Sequence, residues 1–237
     1  MTIRSERPLV RSLGAIAVAS AIVFPPATAL AADDASTSDE ASAVALDVVA
    51  PELKVGDLVF IRIAFRPFAE VAAATGTWTN HVGVVVDVSG DEPRIGESAF
   101  PLSRITTLSR FVNRSENARF AVMRLREELT VEQQASVLAA ATRRLGIFYD
   151  TGFDLHSRRE FCSRYAREVL AEATGHSVGE VETFAHLLAS RPDANQTFWK
   201  AWYFGRIPWN RETVTPASLL RSHEVRTVFD GKAKARS

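Results

Sequence analysis

Residues 81–100, HVGVVVDVSGDEPRIGESAF, carry the reading on which the fold turns. The run HVGVVVDV (81–88) is apolar and β-branched, as a buried strand should be. PRIGESAF (93–100) reads as a second strand, and Ser89, Gly90 and Asp91 supply hairpin chemistry between them. An antiparallel pair is therefore written into one short segment. His81 opens the first strand directly after the polar Thr79-Asn80, so its ring can face a cleft while the strand stays rigid. By strand parity Asp87 shares its face, but six residues span about 20 Å, too far for contact. A three-residue turn at 89–91 would set Glu97 opposite Gly83, diagonal to His81 at about 7–8 Å between Cα atoms. A two-residue Ser-Gly turn would send Glu97 to the other face. The sequence leaves both registers open.

Working outward, GDLVFIRI (56–63) is β-rich, FRPFAEVAAAT (65–75) is helical and ARFAVMRLR (118–126) alternates as a strand. Thr130 and Gln133 form a capping box for a helix that Gly146 is expected to close. A further helix runs from about Phe161 to Gly175, with Cys162, Ala166, Val169 and Ala173 at helical spacing. Short helices follow at 183–189 and 215–220, then a last strand at 224–229. Strands come first and helices later, which predicts an α+β fold: a mainly antiparallel sheet packed against helices.

The 237 residues contain one cysteine, Cys162, within REFCSRYAREVL (159–170). It has no partner for an intramolecular disulfide. At a helix start, unpaired N–H groups and the helix dipole favour a thiolate and can also stabilise an oxyanion. That points to a nucleophile with His81 as its base. The plain alternative is a small buried hydrophobe. Tyr149 reads as packing, with donation to an oxyanion as the alternative. His81, Glu97, His156 and Cys162 together make a zinc alternative, although no tight ligand pair supports it. His176, His186 and His223 look incidental. The aromatic stretch TFWKAWYFGRIPW (197–209) reads as core, or else as a lipid- or substrate-facing wall.

The N-terminus has its own pattern. Arg4, Arg7 and Arg11 precede an apolar run at 13–24, and Ala29-Leu30-Ala31 supplies a small-x-small cleavage signal. This pattern reads as a secretory signal peptide over 1–31, with an uncleaved N-terminal anchor as the alternative; the apolar run is too short to span a bilayer by itself. No cysteine follows it, so no lipid anchor is expected. Residues 32–50 begin acidic and small and are expected to form a disordered linker. The domain then covers 51–230 and a tail 231–237. Hydrophobic residues make up 46% of the chain and formal net charge is zero. That suits a domain with a real core, and no basic block marks nucleic acid as a partner. Cleavage removes three basic residues and one acidic residue, leaving a mildly acidic mature chain, secreted or periplasmic. Such a chain has no stable membrane anchor and no strong overall attraction to anionic membranes.

The ordered set GDLVF, NHVGVVVD, GESAFPLS and FCSRY, extended by TTLSRF, ETFAHLL, TFWKAW and TVTPASL, resembles the YebB/YiiX-type permuted papain-like proteins of the NlpC-like thiol hydrolase superfamily. The likeness covers most of residues 52–221. It implies a histidine strand placed before the cysteine helix, and a catalytic set of Cys162, His81 and Glu97. It implies a thiol amidase, peptidase or acyl hydrolase, or an acyltransferase, working through a thioester without a cofactor. Envelope peptides stand ahead of lipid esters as substrates. A lipid- or ligand-binding protein without turnover, and a zinc-binding protein, are the competing classes.

N-terminal sequencing of exported protein should find Ala32 first; soluble extracytoplasmic protein that retains Met1 would refute the cleavage site.

Overall fold

The computed structural model describes residues 43–44 and 46–234. The expected signal peptide and its cleavage site lie outside the described residues. The chain proceeds through β1 (Ala43–Val44), α1 (Leu46–Val49), β2 (Leu58–Ile63), α2 (Arg66–Thr75), β3 (His81–Asp87), β4 (Arg94–Glu97), β5 (Arg104–Thr107), α3 (Leu108–Val112) and β6 (Ser115–Leu125). It continues through α4 (Val131–Arg143), α5 (Cys162–Thr174), β7 (Val181–Thr183), α6 (Phe184–Ala189), α7 (Gln196–Trp202), β8 (Glu212–Val214), α8 (Pro216–Leu220) and β9 (Val225–Ala233).

Seven strands form one sheet in the order β1-β9-β6-β2-β3-β4-β5, and β7 pairs with β8 separately. Every neighbour in the main sheet is antiparallel except β1 with β9. Side-chain alternation divides the core between the two faces. Leu58, Phe60, Val82, Val84 and Val86 join Val137, Ala166, Val169 and Leu170 of α4 and α5 on one face. Val59, Ile61, Val85 and Ile95 meet Leu108, Phe111 and Val112 of α3 on the other. The architecture is α+β, as expected, and permuted: the histidine strand precedes the cysteine helix.

Local signals place most helix ends. Thr130 and Gln133 form the expected capping box, Thr215 caps α8 in the same way, and Gly175 closes α5 in the left-handed conformation. Gly146 does not close α4. The helix ends at Arg143 with Arg144 as its cap, and Gly146 takes φ 80° in the following turn.

Two expected boundaries move. The linker was placed over 32–50, yet Ala43–Val44 pair with β9 and Leu46–Val49 are helical. Val49 and Leu53 are buried beside α3, so the apolar residues of LDVVAPEL contribute enough burial to order this end. The tail expected from 231 begins late as well, because β9 continues to Ala233 and pairs Lys232 with Arg119.

The hairpin that positions the site also differs in detail. Six residues, not three, separate β3 from β4. A register shift between Val85 and Asp87 absorbs the difference, so Val84 still pairs with Gly96 and Val85 with Ile95. One step further in this register sets Glu97 opposite Gly83.

Gly83 leaves room for a ring. A Cβ there would come within 2.5 Å of Ile95 Cγ2 and 2.9 Å of Phe111 Cε2. Gly83→Ala should therefore destabilise the fold by about 1–3 kcal/mol, read as a lower denaturant midpoint; an unchanged midpoint would show that Phe111 shifts freely.

Candidate active site

Three side chains far apart in sequence meet at the end of the sheet. His81 comes from the first residue of β3, Glu97 from the last residue of β4 and Cys162 from the first residue of α5. His81 Nε2 lies 2.6 Å from Glu97 Oε2, and both side chains are buried. The other ring nitrogen, Nδ1, is buried without an aligned hydrogen-bond partner among the described residues. The ring interacts directly with the Cys162 thiol. The Cys162 thiol also points toward Asn80 O at 4.0 Å, a weak contact.

Neighbouring groups hold each member. Phe111 stacks on the His81 ring at 5.6 Å between centroids, and Phe68 meets its edge at 6.3 Å. Asn80 is fixed to β2 through Ile63, whose N–H donates to Asn80 Oδ1 at 2.7 Å. Glu97 accepts from Arg104 Nε at 3.0 Å and from an Arg114 terminal nitrogen at 2.7 Å. The entry to α5 is tied to the end of β4, because Ser98 Oγ donates to Glu160 O at 2.9 Å. Asp150 N–H donates to the same carbonyl at 2.7 Å, which draws the Tyr149 segment alongside.

Electrostatics separates the charges. Burial alone would push Glu97 up, but the His81 hydrogen bond and charge, with Arg114, bring it down to about 2. Burial pulls His81 down, yet Cys162 and Glu97 together raise it to about 9. Burial raises the Cys162 thiol, and this is outweighed by the His81 charge and hydrogen bond, the Val82 amide and Tyr149, so its pKa falls below the ordinary value. Each group thus favours the charged form of the other, thiolate for Cys162 and imidazolium for His81. Tyr149 stays a neutral hydroxyl, because burial and the adjacent thiolate raise its pKa well above the usual value.

Tyr149, read from sequence chiefly as packing, belongs to this site. Its buried hydroxyl has no aligned partner and lies against both the thiol and the backbone amide of Cys162. No capping side chain satisfies the start of α5. The Cys162 amide and the Tyr149 hydroxyl thus lie together beside the sulfur. Arg104 and Arg114 had no sequence signal, since arginines are ordinary on exposed strands and turns. His156 is elsewhere, exposed and bonded to Glu212 Oε2 at 2.8 Å, so the four-residue zinc set does not assemble. His176 contacts Glu127 and Glu224, and His186 and His223 are exposed ion-pair partners.

A narrow, almost wholly apolar cavity of about 40 Å³ adjoins Cys162. Phe68, Phe153, Phe184, Leu187 and Trp199 line it with Tyr149. The aromatic stretch thus contributes both readings: Trp199 is buried and walls the cavity.

Comparison with known proteins bears on the family and the fold. The chain is 28% identical over 185 residues to "Uncharacterized protein YiiX" of Escherichia coli (strain K12), covering 78% of this chain and 90% of that protein. A solved structure, "Crystal structure of metalloprotein yiiX from Escherichia coli O157:H7, DUF1105", superposes with a TM-score of 0.70 at 26% identity, covering 76% of this chain and 98% of the other. Residues 52–229 match the family described as "Permuted papain-like amidase enzyme, YaeF/YiiX, C92 family". With its histidine strand placed ahead of its cysteine helix, the chain belongs to this family of permuted papain-like amidases.

Proposed function

We propose that the protein is an exported cysteine hydrolase or acyltransferase that cleaves an amide or ester bond in an envelope component through Cys162, His81 and Glu97. One observation carries this reading. A buried histidine is fixed by a carboxylate at Nε2, its Nδ1 has no aligned partner among the described residues, and its ring interacts with the only sulfhydryl of the chain.

The chemistry follows from the geometry. The Cys162 thiolate attacks the carbonyl carbon, and the electron pair of the C=O moves to oxygen. The Cys162 N–H and the Tyr149 hydroxyl donate to that oxyanion. The tetrahedral adduct collapses to a thioester as His81 gives its proton to the departing amine or alkoxide. His81, now neutral, takes a proton from water or another acceptor, which attacks the thioester and releases the acyl product and the thiolate. Glu97 stays ionised throughout and fixes the ring.

The solved relative is titled a metalloprotein. The residues here do not fit a resident metal. Only Cys162 and His81 present donors to one point, and Glu97 is occupied by His81, Arg104 and Arg114. Among the described residues, no group of three His, Cys, Asp or Glu is placed to hold an ion. No step is routed through one.

Peptide amides remain the first substrate reading. The apolar cavity favours a second, a lipid acyl group seated beside the sulfur, because its lining offers almost no hydrogen-bonding surface.

The rate of iodoacetamide labelling of Cys162 should rise with a midpoint below the ordinary thiol pKa of about 8.5. His81→Ala removes the imidazolium and should move that midpoint up; identical profiles would dismiss the ion pair. Because the leaving group needs protonated His81, turnover should fall as pH rises through about 9.

Purified wild type should release product from cell-wall fragments or phospholipid vesicles in a cysteine-dependent way, with a Cys162 adduct visible by mass. Cys162→Ala should abolish release, and His81→Ala should lower kcat by about 10²–10⁴. Glu97→Gln should keep more activity than either, since an amide oxygen can still accept from the ring. Release of fatty acid alone would select the lipid reading, and no product from either source would favour a binding protein.

A further inference from the structure

The turn after α7 presents a side chain that the fold itself does not use. α7 ends at Trp202, after which Phe204 N–H donates to Ala201 O at 3.1 Å and Gly205 N–H donates to Lys200 O at 2.6 Å. This is a Schellman closure, whose left-handed position usually takes glycine because a Cβ there is strained. Here Phe204 holds that position at φ 52°, and Gly205 follows at φ 93°. The Phe204 side chain is 99% exposed. A bulky aromatic therefore accepts a costly backbone conformation and gains no burial in return. Trp209, a few residues on, is exposed too.

Within the segment itself the charges have one sign, and Asp150 and Asp154 approach it from the neighbouring loop. Residues 196–211 include Lys200, Arg206 and Arg211 and no acidic residue. Arg211 is engaged by Asp154 at 3.6 Å and Gly152 O at 2.8 Å. No ion pair among the described residues holds the side chain of Lys200 or Arg206. An open groove of about 580 Å³ lies beside Phe204, walled by Trp202, Tyr203, Arg206 and Arg211. The same helix sends Trp199 into the cavity wall next to Cys162.

We propose that this apex docks the protein onto an anionic lipid bilayer. Phe204 and Trp209 enter the interface, and Lys200 and Arg206 meet headgroup phosphates. A protruding aromatic flanked by free cations suits a soft interface, where aromatic rings settle at headgroup depth. The mildly acidic net charge of the expected mature chain does not oppose this, because charges beyond about 8 Å are screened at physiological salt. Each cation near such a surface is worth roughly fivefold in binding.

The test is co-sedimentation of the full chain with vesicles of phosphatidylglycerol and phosphatidylcholine, against phosphatidylcholine alone and against cell-wall fragments. Wild type should bind the anionic vesicles best. Lys200→Gln with Arg206→Gln should weaken that binding by roughly 30-fold. Phe204→Gly should weaken it by at least about tenfold, while its thermal midpoint equals or exceeds that of wild type because glycine relieves the left-handed strain. Every variant carries the same N-terminal segment, so the apolar run at 13–24 contributes equally. Variants that bind as wild type does, equal binding to both vesicles, or stronger binding to cell-wall fragments would each overturn the proposal. Binding needs no turnover, so failure here leaves the hydrolase reading standing.

Discussion

A fully buried carboxylate organises this protein. Glu97 sits at the end of β4 with no access to solvent, where an isolated charge would be untenable. Three donors on separate elements make it tenable: His81 on β3, Arg104 on β5 and Arg114 in the turn between α3 and β6. Removing the buried partner, His81, would leave the carboxylate to two arginines that are themselves partly exposed. The array therefore constrains the sheet end and the reactive ring together.

From that constraint the surroundings of Cys162 follow. A ring fixed at Nε2 leaves Nδ1 free beside the cysteine, and a charge held at Glu97 favours the imidazolium. The imidazolium in turn favours the thiolate, although burial alone would oppose it. Packing sets the orientation, because Phe111 can lie under the ring only where Gly83 leaves space. The single cysteine of this chain is buried like a hydrophobe, yet its pKa is drawn down as a nucleophile's would be. The two descriptions are compatible because its burial is among polar partners on one side and aromatic rings on the other.

The aromatic segment after residue 195 divides its side chains by purpose. Trp199 is buried and closes the cavity, while Trp202 and Tyr203 anchor the turn by donating to Thr151 O at 2.9 Å and Gly152 O at 3.0 Å. These two bonds fasten the segment beside Tyr149, so the outer apex and the inner cavity share one support. Phe204 takes no part in that packing.

Local rules determined much of this protein from sequence. β-branched alternation announced the strands, capping residues announced α4 and α8, and a helix start at Phe161 placed Cys162 at a terminus. Strand parity brought His81 and Glu97 to one face, conditional on a register that the sequence left open. Only the tertiary structure chose that register, through a six-residue turn and a compensating bulge that no local propensity specifies. It also chose Arg104 and Arg114 as the cations on Glu97 and set Tyr149 against the sulfur. Those residues approach across the fold, and a contact between distant segments leaves no periodicity or spacing in the chain for a local rule to detect. The extension of order back to Ala43 and on to Ala233 has the same cause: each end is held by the strand or core it reaches, not by its own composition.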